Sequence, residues 1–215
     1  MIILIGSEKG GTGKTTLTTN LATYHSNQGR DVLLVDTDKQ GSASAWAATR
    51  DATDCKRISS IQKFGKSLTS ELKALETKYD DIIVDAGGRD SVELRAALLA
   101  ADKLYIPLIP SQIDVWTLGV MKTLIEESQL FNQSLKPHFV ISRASTNPAV
   151  TEVDEVKETL SEIDDIPLCQ TIIRERIAYR KAPKNGMGVT ELRPPERDPK
   201  ANAELESLYA EIFNG

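Results

Sequence analysis

At 215 residues the chain is long enough to bury a sizeable core without a disulfide or metal staple. Its 40% hydrophobic and 27% charged residues, with 13 Gly and 9 Pro, lie in the ordinary globular range and exclude wholesale disorder, collagen-like and low-complexity classes. A formal net charge of -5 argues against a uniformly basic nucleic-acid binder.

The chain opens on Ile2-Ile3-Leu4-Ile5, a β-branched apolar run. A Gly-rich stretch follows, then a helical pattern from about Thr15 to Ser26 that ends near Gly29. Further apolar runs are Val32 to Val35, ending at Asp36; Ile82 to Val84, ending at Asp85; Leu104 to Ile106, ending at Pro107; and one near His138 to Ile141. Runs that are apolar at every position, not alternating, suit strands covered on both faces of a parallel sheet. Helical patterns lie between and after them, at about Ser67–Lys78, Val92–Ala100, 113–131 and 150–163. Strands alternating with helices predict an α/β fold, a doubly wound, mostly parallel sheet whose ligand sites lie beyond the carboxyl ends of the strands. Arg193 to Pro199 reads as an extended connector. Lys200 to Phe213 reads as a closing helix, apolar on the face of Leu205, Leu208, Tyr209 and Ile212 and acidic at Glu204, Glu206 and Glu211. No linker-like composition or internal repeat divides the chain, so one domain over 1–215 is expected.

Cys55 and Cys169 are too far apart for a Cys-x-x-Cys motif, and His25 and His138 form no helical ligand pair, which argues against structural zinc. No apolar run approaches the roughly 18 residues of a membrane span, and Met1 leads into a strand without a basic leader. A cytoplasmic protein is expected.

The segment from Gly6 to Thr16, Gly-Ser-Glu-Lys-Gly-Gly-Thr-Gly-Lys-Thr-Thr, joins the first strand to the first helix. Gly10, Gly11 and Gly13, with Thr12 between them, let the backbone turn its N–H groups inward as an anion nest, and the helix N-terminus adds partial positive charge. Lys14 is placed to reach the β- and γ-phosphates of ATP, Thr15 to ligate Mg²⁺ through its hydroxyl, and Thr16 to touch phosphate one step further on. The common phosphate-loop pattern would have Gly where Glu8 stands. A dinucleotide fingerprint is weighed against this, because Asp36 ends the second strand. Its third glycine position is occupied by Thr16, however.

The string Lys9-Gly10-Gly11-Thr12-Gly13-Lys14-Thr15-Thr16 resembles the deviant Walker A motif of the ParA/MinD family of ATPases, and Asp36-Thr37-Asp38-Lys39-Gln40-Gly41 is similar to the family's Asp-x-Asp-Pro-Gln-Gly segment with Lys39 in place of Pro. The resemblance implies that Lys9 crosses an ATP-dependent sandwich homodimer to the partner's phosphates. It also implies that Asp38 orients the attacking water near Mg²⁺, with Asp36 a weaker candidate, and that Asp85 is the Walker B carboxylate holding Mg²⁺ through water. Ala86-Gly87-Gly88-Arg89 departs from the family's usual Thr-Pro-Pro and suits either a γ-phosphate-sensitive switch or a plain flexible loop. Asp114 matches a recurrent family position and reads as structural. Ser142-Arg143 stands where relatives carry Asn-Arg, so Arg143, together with Arg174, is a candidate contact to the nucleotide base.

Charge is unevenly spread. From Arg174 to Lys200 eight basic residues stand against four acids, leaving the rest of the chain strongly acidic. Arg174, Arg176, Arg180, Lys181 and Lys184 are therefore candidate sequence-independent contacts to DNA phosphates. The acidic closing helix is unsuited to an anionic membrane, so no membrane partner is expected. The resemblance is strongest to short ParA proteins without an N-terminal helix-turn-helix. It implies a weak, partner-stimulated ATPase for plasmid or chromosome partition, released from DNA by a centromere-binding ParB-type adaptor. The alternatives are a relative positioning a protein cluster or microcompartment, a MinD-like membrane-cycling ATPase, and a non-hydrolysing scaffold that leaves Asp38 idle.

Overall fold

The computed structural model describes residues 1–112, 115–147, 149–161 and 165–214. Strand β1 (Ile2–Ser7) leads through the Gly-rich loop into α1 (Lys14–Asn27), followed by β2 (Val32–Asp36), α2 (Ser42–Asp51), β3 (Ser59–Gln62), α3 (Leu68–Glu76) and β4 (Asp81–Gly88). Then come α4 (Val92–Leu98), β5 (Lys103–Leu108), α5 (Val115–Gln129), β6 (Lys136–Ala144), α6 (Glu152–Ser161), β7 (Leu168–Arg174), α7 (Ile177–Lys181) and α8 (Pro199–Phe213). The seven strands form one sheet in the order β3-β2-β4-β1-β5-β6-β7, and every strand pairing is parallel. The expected doubly wound sheet is present, and Asp114 lies outside the described residues.

The apolar-at-every-position strands sit in the middle of this sheet. Ile2 and Leu4 of β1 point into the layer made with α3 to α6, while Ile3 and Ile5 point into the layer made with α1, α2, α7 and α8, and all four are 0% exposed. A strand with two dry faces has no solvent side on which to place polar residues. β3 and β7 form the two edges of the sheet. β3 is Ser-Ser-Ile-Gln, with both end residues exposed, and lacks the apolar run that marks the inner strands.

The closing helix covers the outer edge of β7. Glu211 accepts the backbone N–H groups of Gln170 (2.8 Å) and Thr171 (2.7 Å) and the Thr171 hydroxyl, and Glu204 accepts the N–H of Arg174 (3.2 Å). These carboxylates satisfy donors that an open sheet edge would offer to another strand. Two of the three acids on this helix thus have an internal structural job.

A buried ion pair joins the C-terminal end of α2 to the segment after α7. Arg50, on α2, donates to both carboxylate oxygens of Glu191 (2.8 and 2.7 Å) and to the carbonyls of Gly186 (2.8 Å) and Lys56 (2.7 Å). Gly186 adopts φ 62°, and a Cβ there would lie 2.4 Å from the Arg50 backbone, so only glycine permits this approach.

Candidate nucleotide site

Three neighbouring strands, β2, β4 and β1, deliver their carboxyl ends to one place. In the parallel register Asp85 of β4 stands opposite Ile5 of β1 and Asp36 of β2, so the loops after all three strands converge. A cavity of about 380 Å³ opens there, lined by Gly13, Lys14, Thr15 and Asp38 and, from the β7–α7 side, by Ile173 and Tyr179. A more open cleft of about 680 Å³ adjoins it, with Lys9, Asp38, Gly88 and Arg89 among its walls.

The Gly-rich loop is held by its own polar atoms. The Lys14 ammonium, mostly buried, donates to the Lys9 carbonyl (2.8 Å) and the Ser7 hydroxyl (3.3 Å), and Ser7 Oγ is 2.9 Å from Thr12 Oγ1. Burial pulls the Lys14 pKa below its ordinary value, while Asp85 and Asp38 oppose that shift. Gly13, at φ 93°, leads into α1, and a Cβ on it would meet Ser142 Oγ at 2.8 Å. Gly88 packs on the loop from β4: a Cβ there would sit 3.1 Å from Gly10 N and Cα and 3.3 Å from Lys14 Nζ. The departure from Thr-Pro-Pro thereby acquires a steric reason, since the β4 end lies against the loop.

Two acids at adjacent strand ends have divided roles. Asp36, 0% exposed, accepts the N–H of Asp38 through Oδ1 (3.0 Å) and the N–H of Ser44 through Oδ2 (2.8 Å). It shapes the turn and satisfies an N-terminal donor of α2, which consumes it structurally. Asp85, 1% exposed, accepts the hydroxyls of Thr15 (2.7 Å) and Thr18 (3.3 Å). Burial, reinforced by the nearby Asp36 charge, pushes the Asp85 pKa up to about 7 against the opposing hydroxyl bonds and Lys14. Thr15 and Asp85 bring two hard oxygen donors together beside the phosphate loop. Among the described residues no cluster of three or more His, Cys, Asp or Glu could hold a metal. Two protein oxygens completed by phosphates and water suit Mg²⁺, which seldom takes an all-protein cage. Asp38 faces the same space; its carboxylate accepts Gln40 N–H (2.9 Å) and would stand 3.4 Å from a Cβ on Gly87.

The family model described as the CobQ/CobB/MinD/ParA nucleotide binding domain matches residues 3–189. The chain belongs to this family. Among relatives of the CobQ/CobB/MinD/ParA family, the chain is 27% identical over 212 residues to maintenance of carboxysome distribution protein A of Halothiobacillus neapolitanus, covering 98% of this chain and 95% of that one. It is 32% identical over 193 residues to the protein of the same name from Gloeobacter kilaueensis (89% and 85%). It is 23% identical over 254 residues to the sporulation initiation inhibitor Soj of Bacillus subtilis (97% and 98%). Apo McdA of Cyanothece shares the fold at a TM-score of 0.75 and 19% identity, covering 97% of this chain and 99% of that one. The septum site-determining protein MinD of Pyrococcus horikoshii, solved with Mg-ADP, shares it at 0.72 and 23% (99% and 95%). The family binds nucleotide, and the pocket carries ligand types that suit ATP and Mg²⁺.

The arginines depart most from expectation. Arg143, at φ 55°, donates to the Gly11 carbonyl (2.6 Å) and pairs with Glu175 (3.2 Å), so it ties the β6 end to the phosphate loop while lining the cavity. Arg174 lines the cavity too and donates to the Ser145 carbonyl (2.5 Å). Arg176 is not available to contact DNA. Glu204 holds its guanidinium by bonds of 2.5 to 3.1 Å, Asp198 lies 3.9 Å away, and its side chain is only 13% exposed. Lys181 pairs with Glu196 at 3.0 Å. The local excess of positive charge counted along the sequence is therefore reduced in space, because Glu204 lies beyond the basic segment and folds back onto it. Arg180 and Lys184 remain exposed. No helix among the described residues is long and apolar enough to cross a membrane.

Proposed function

We propose that the protein is a Mg²⁺-dependent ATPase of the ParA type that positions a cargo through an ATP-driven cycle. The observation that carries this is the convergence of Lys14, Thr15 and Asp38 on one cavity at the ends of β1, β4 and β2, with Asp85 buried behind Thr15 and bonded to its hydroxyl. Lys14 and the loop N–H groups hold the phosphates, and Asp38 orients a water for attack. Magnesium, when bound, neutralises charge on the β- and γ-oxygens. Lys9, on the open cleft, is the residue proposed to reach the phosphates of a second subunit in an ATP-dependent homodimer.

The relatives reorder the two cargo readings. Proteins named for carboxysome distribution match 98% and 89% of the chain, so a protein assembly positioned with the help of an adaptor comes before a plasmid or chromosome. Partition remains the second reading, favoured by relatives whose names describe chromosome partitioning. Either cycle would use nonspecific DNA as its track, through Arg180 and Lys184 in place of the full basic segment, with salt-sensitive affinity.

Purified protein with Mg-ATP tests the core of this proposal. Light scattering should show a dimer that Lys9→Ala abolishes, and Asp38→Ala should hold ATP without turning it over. An Asp38→Ala variant that hydrolyses at the parental rate refutes the assignment of the water-positioning role. Deletion in the native host separates the cargoes: lost inheritance of a replicon means partition, and clumping of a protein assembly with normal inheritance means protein cargo.

A further inference from the structure

Arg89 sits where a glycine would be least strained. Its φ is 103°, in the left-handed region that L side chains rarely adopt, and it directly follows Gly88, whose backbone lies against Gly10 and the Lys14 ammonium. Strained residues persist where their surroundings hold them and cluster at functional sites. Arg89 is exposed and lines the open cleft together with Lys9, Gly10 and Asp38. Arg50, Arg95, Arg143, Arg174 and Arg176 each bond to a carboxylate or carbonyl, whereas Arg89, like the exposed Arg180, makes no hydrogen bond or ion pair among the described residues. An ordinary exposed turn could leave a guanidinium unpaired, but it would not account for the strain at a residue placed on the cleft beside the phosphate loop.

We propose that Arg89 is a further catalytic residue, whose guanidinium contacts the terminal phosphate of the nucleotide bound by the same chain. The inference rests on the ATPase reading above. In hydrolysis the water oxygen bonds to the γ-phosphorus while the bond to the β,γ-bridging oxygen breaks. Its electron pair leaves on ADP, and the water proton passes to the released phosphate. Charge on the γ-oxygens and the bridging oxygen is what a planar, bidentate donor stabilises. The two glycines before Arg89 give the β4 end room to press on the loop, and the strained residue then aims its side chain into the cleft.

Arg89→Gly separates side chain from backbone, because glycine adopts φ 103° without strain. Single-turnover hydrolysis of Mg-ATP, ADP affinity and Tm are measured for the parent, Arg89→Gly and Arg89→Lys. Arg89→Gly should melt no lower than the parent and bind Mg-ADP as the parent does, yet hydrolyse Mg-ATP slower by on the order of 10²-fold. Arg89→Lys, which keeps a cation, should be faster than Arg89→Gly. A slowing of less than about tenfold in Arg89→Gly overturns the inference, and so does a lowered Tm accompanying lost turnover, which would make Arg89 structural. A parent that fails to hydrolyse Mg-ATP overturns the ATPase reading itself, whereas an active parent with an equally active Arg89→Gly overturns only the role of Arg89.

Discussion

Replacing Glu191 by Gln should cost more stability than replacing Arg50 by Met, although both changes break the same ion pair. The Arg50 side chain is 0% exposed and that of Glu191 is 15% exposed. Without the Glu191 charge, the guanidinium keeps only the carbonyls of Lys56 and Gly186 as strong acceptors and stays buried without an anion. Without Arg50, the Glu191 carboxylate still accepts the N–H of Gly188 (3.0 Å) and the amide of Asn27 (3.1 Å) and retains some access to water. Breaking a buried pair costs about 3–5 kcal/mol, most of it from the stranded charge. Glu191→Gln is expected near the top of that range and Arg50→Met near the bottom. The double variant should cost about 2 kcal/mol less than the sum, because no charge is then left behind. Urea unfolding followed by circular dichroism at pH 7 measures all four corners of the cycle. A smaller loss in Glu191→Gln than in Arg50→Met, or additivity within about 0.5 kcal/mol, would refute the reasoning. The pair also carries a pH signature. Burial opposes ionisation of Glu191, but its bonds to Arg50, Gly188 and Asn27 outweigh it and hold the pKa below its usual 4.5. A depressed carboxylate pKa stabilises the fold above the unfolded value, and that contribution is lost as pH falls from about 4.5 toward the folded value. Arg50→Met should flatten this acid limb.

Asp85→Asn should stabilise the ligand-free protein near neutral pH while weakening binding of Mg-ATP. The buried carboxyl, with its pKa pushed up to about 7, destabilises the fold progressively as pH rises from the ordinary carboxylate range to about 7. Thermal melts between pH 5 and 8 should lose that slope in the variant, and an unchanged slope would contradict the cause given for the shift. Gly88→Ala should leave Tm within a few degrees of the parent yet weaken Mg-ATP binding by about tenfold or more, since its Cβ would press on Gly10 and the Lys14 ammonium. Titration with a fluorescent ATP analogue measures this, and parental affinity would show that β4 does not brace the loop.

The inner strands β1, β2 and β4 were legible because a strand buried on both faces must be apolar at every position. The phosphate loop was legible because an anion nest at a strand-to-helix junction demands glycines, Lys14 and Thr15 at close spacing. Helix α2, with the sequence Ser-Ala-Ser-Ala-Trp-Ala-Ala-Thr-Arg-Asp, and the edge strand β3 gave no comparable signal, since a polar four-residue strand does not imprint a pattern. The Asp36 turn, the β7 edge covered by Glu204 and Glu211, and the neutralised Arg176 depend on side chains that meet only once the chain has folded. Charge counted along the sequence treats Arg174 to Lys200 as one basic segment, whereas Coulomb energy depends on distance in space, and Glu204 brings a carboxylate within hydrogen-bonding distance of Arg176. By itself the sequence determined the inner strands, the phosphate loop and the acids at the strand ends. Only the tertiary structure decided which of those acids and arginines remain available to a ligand, because that turns on which partners the fold has already supplied.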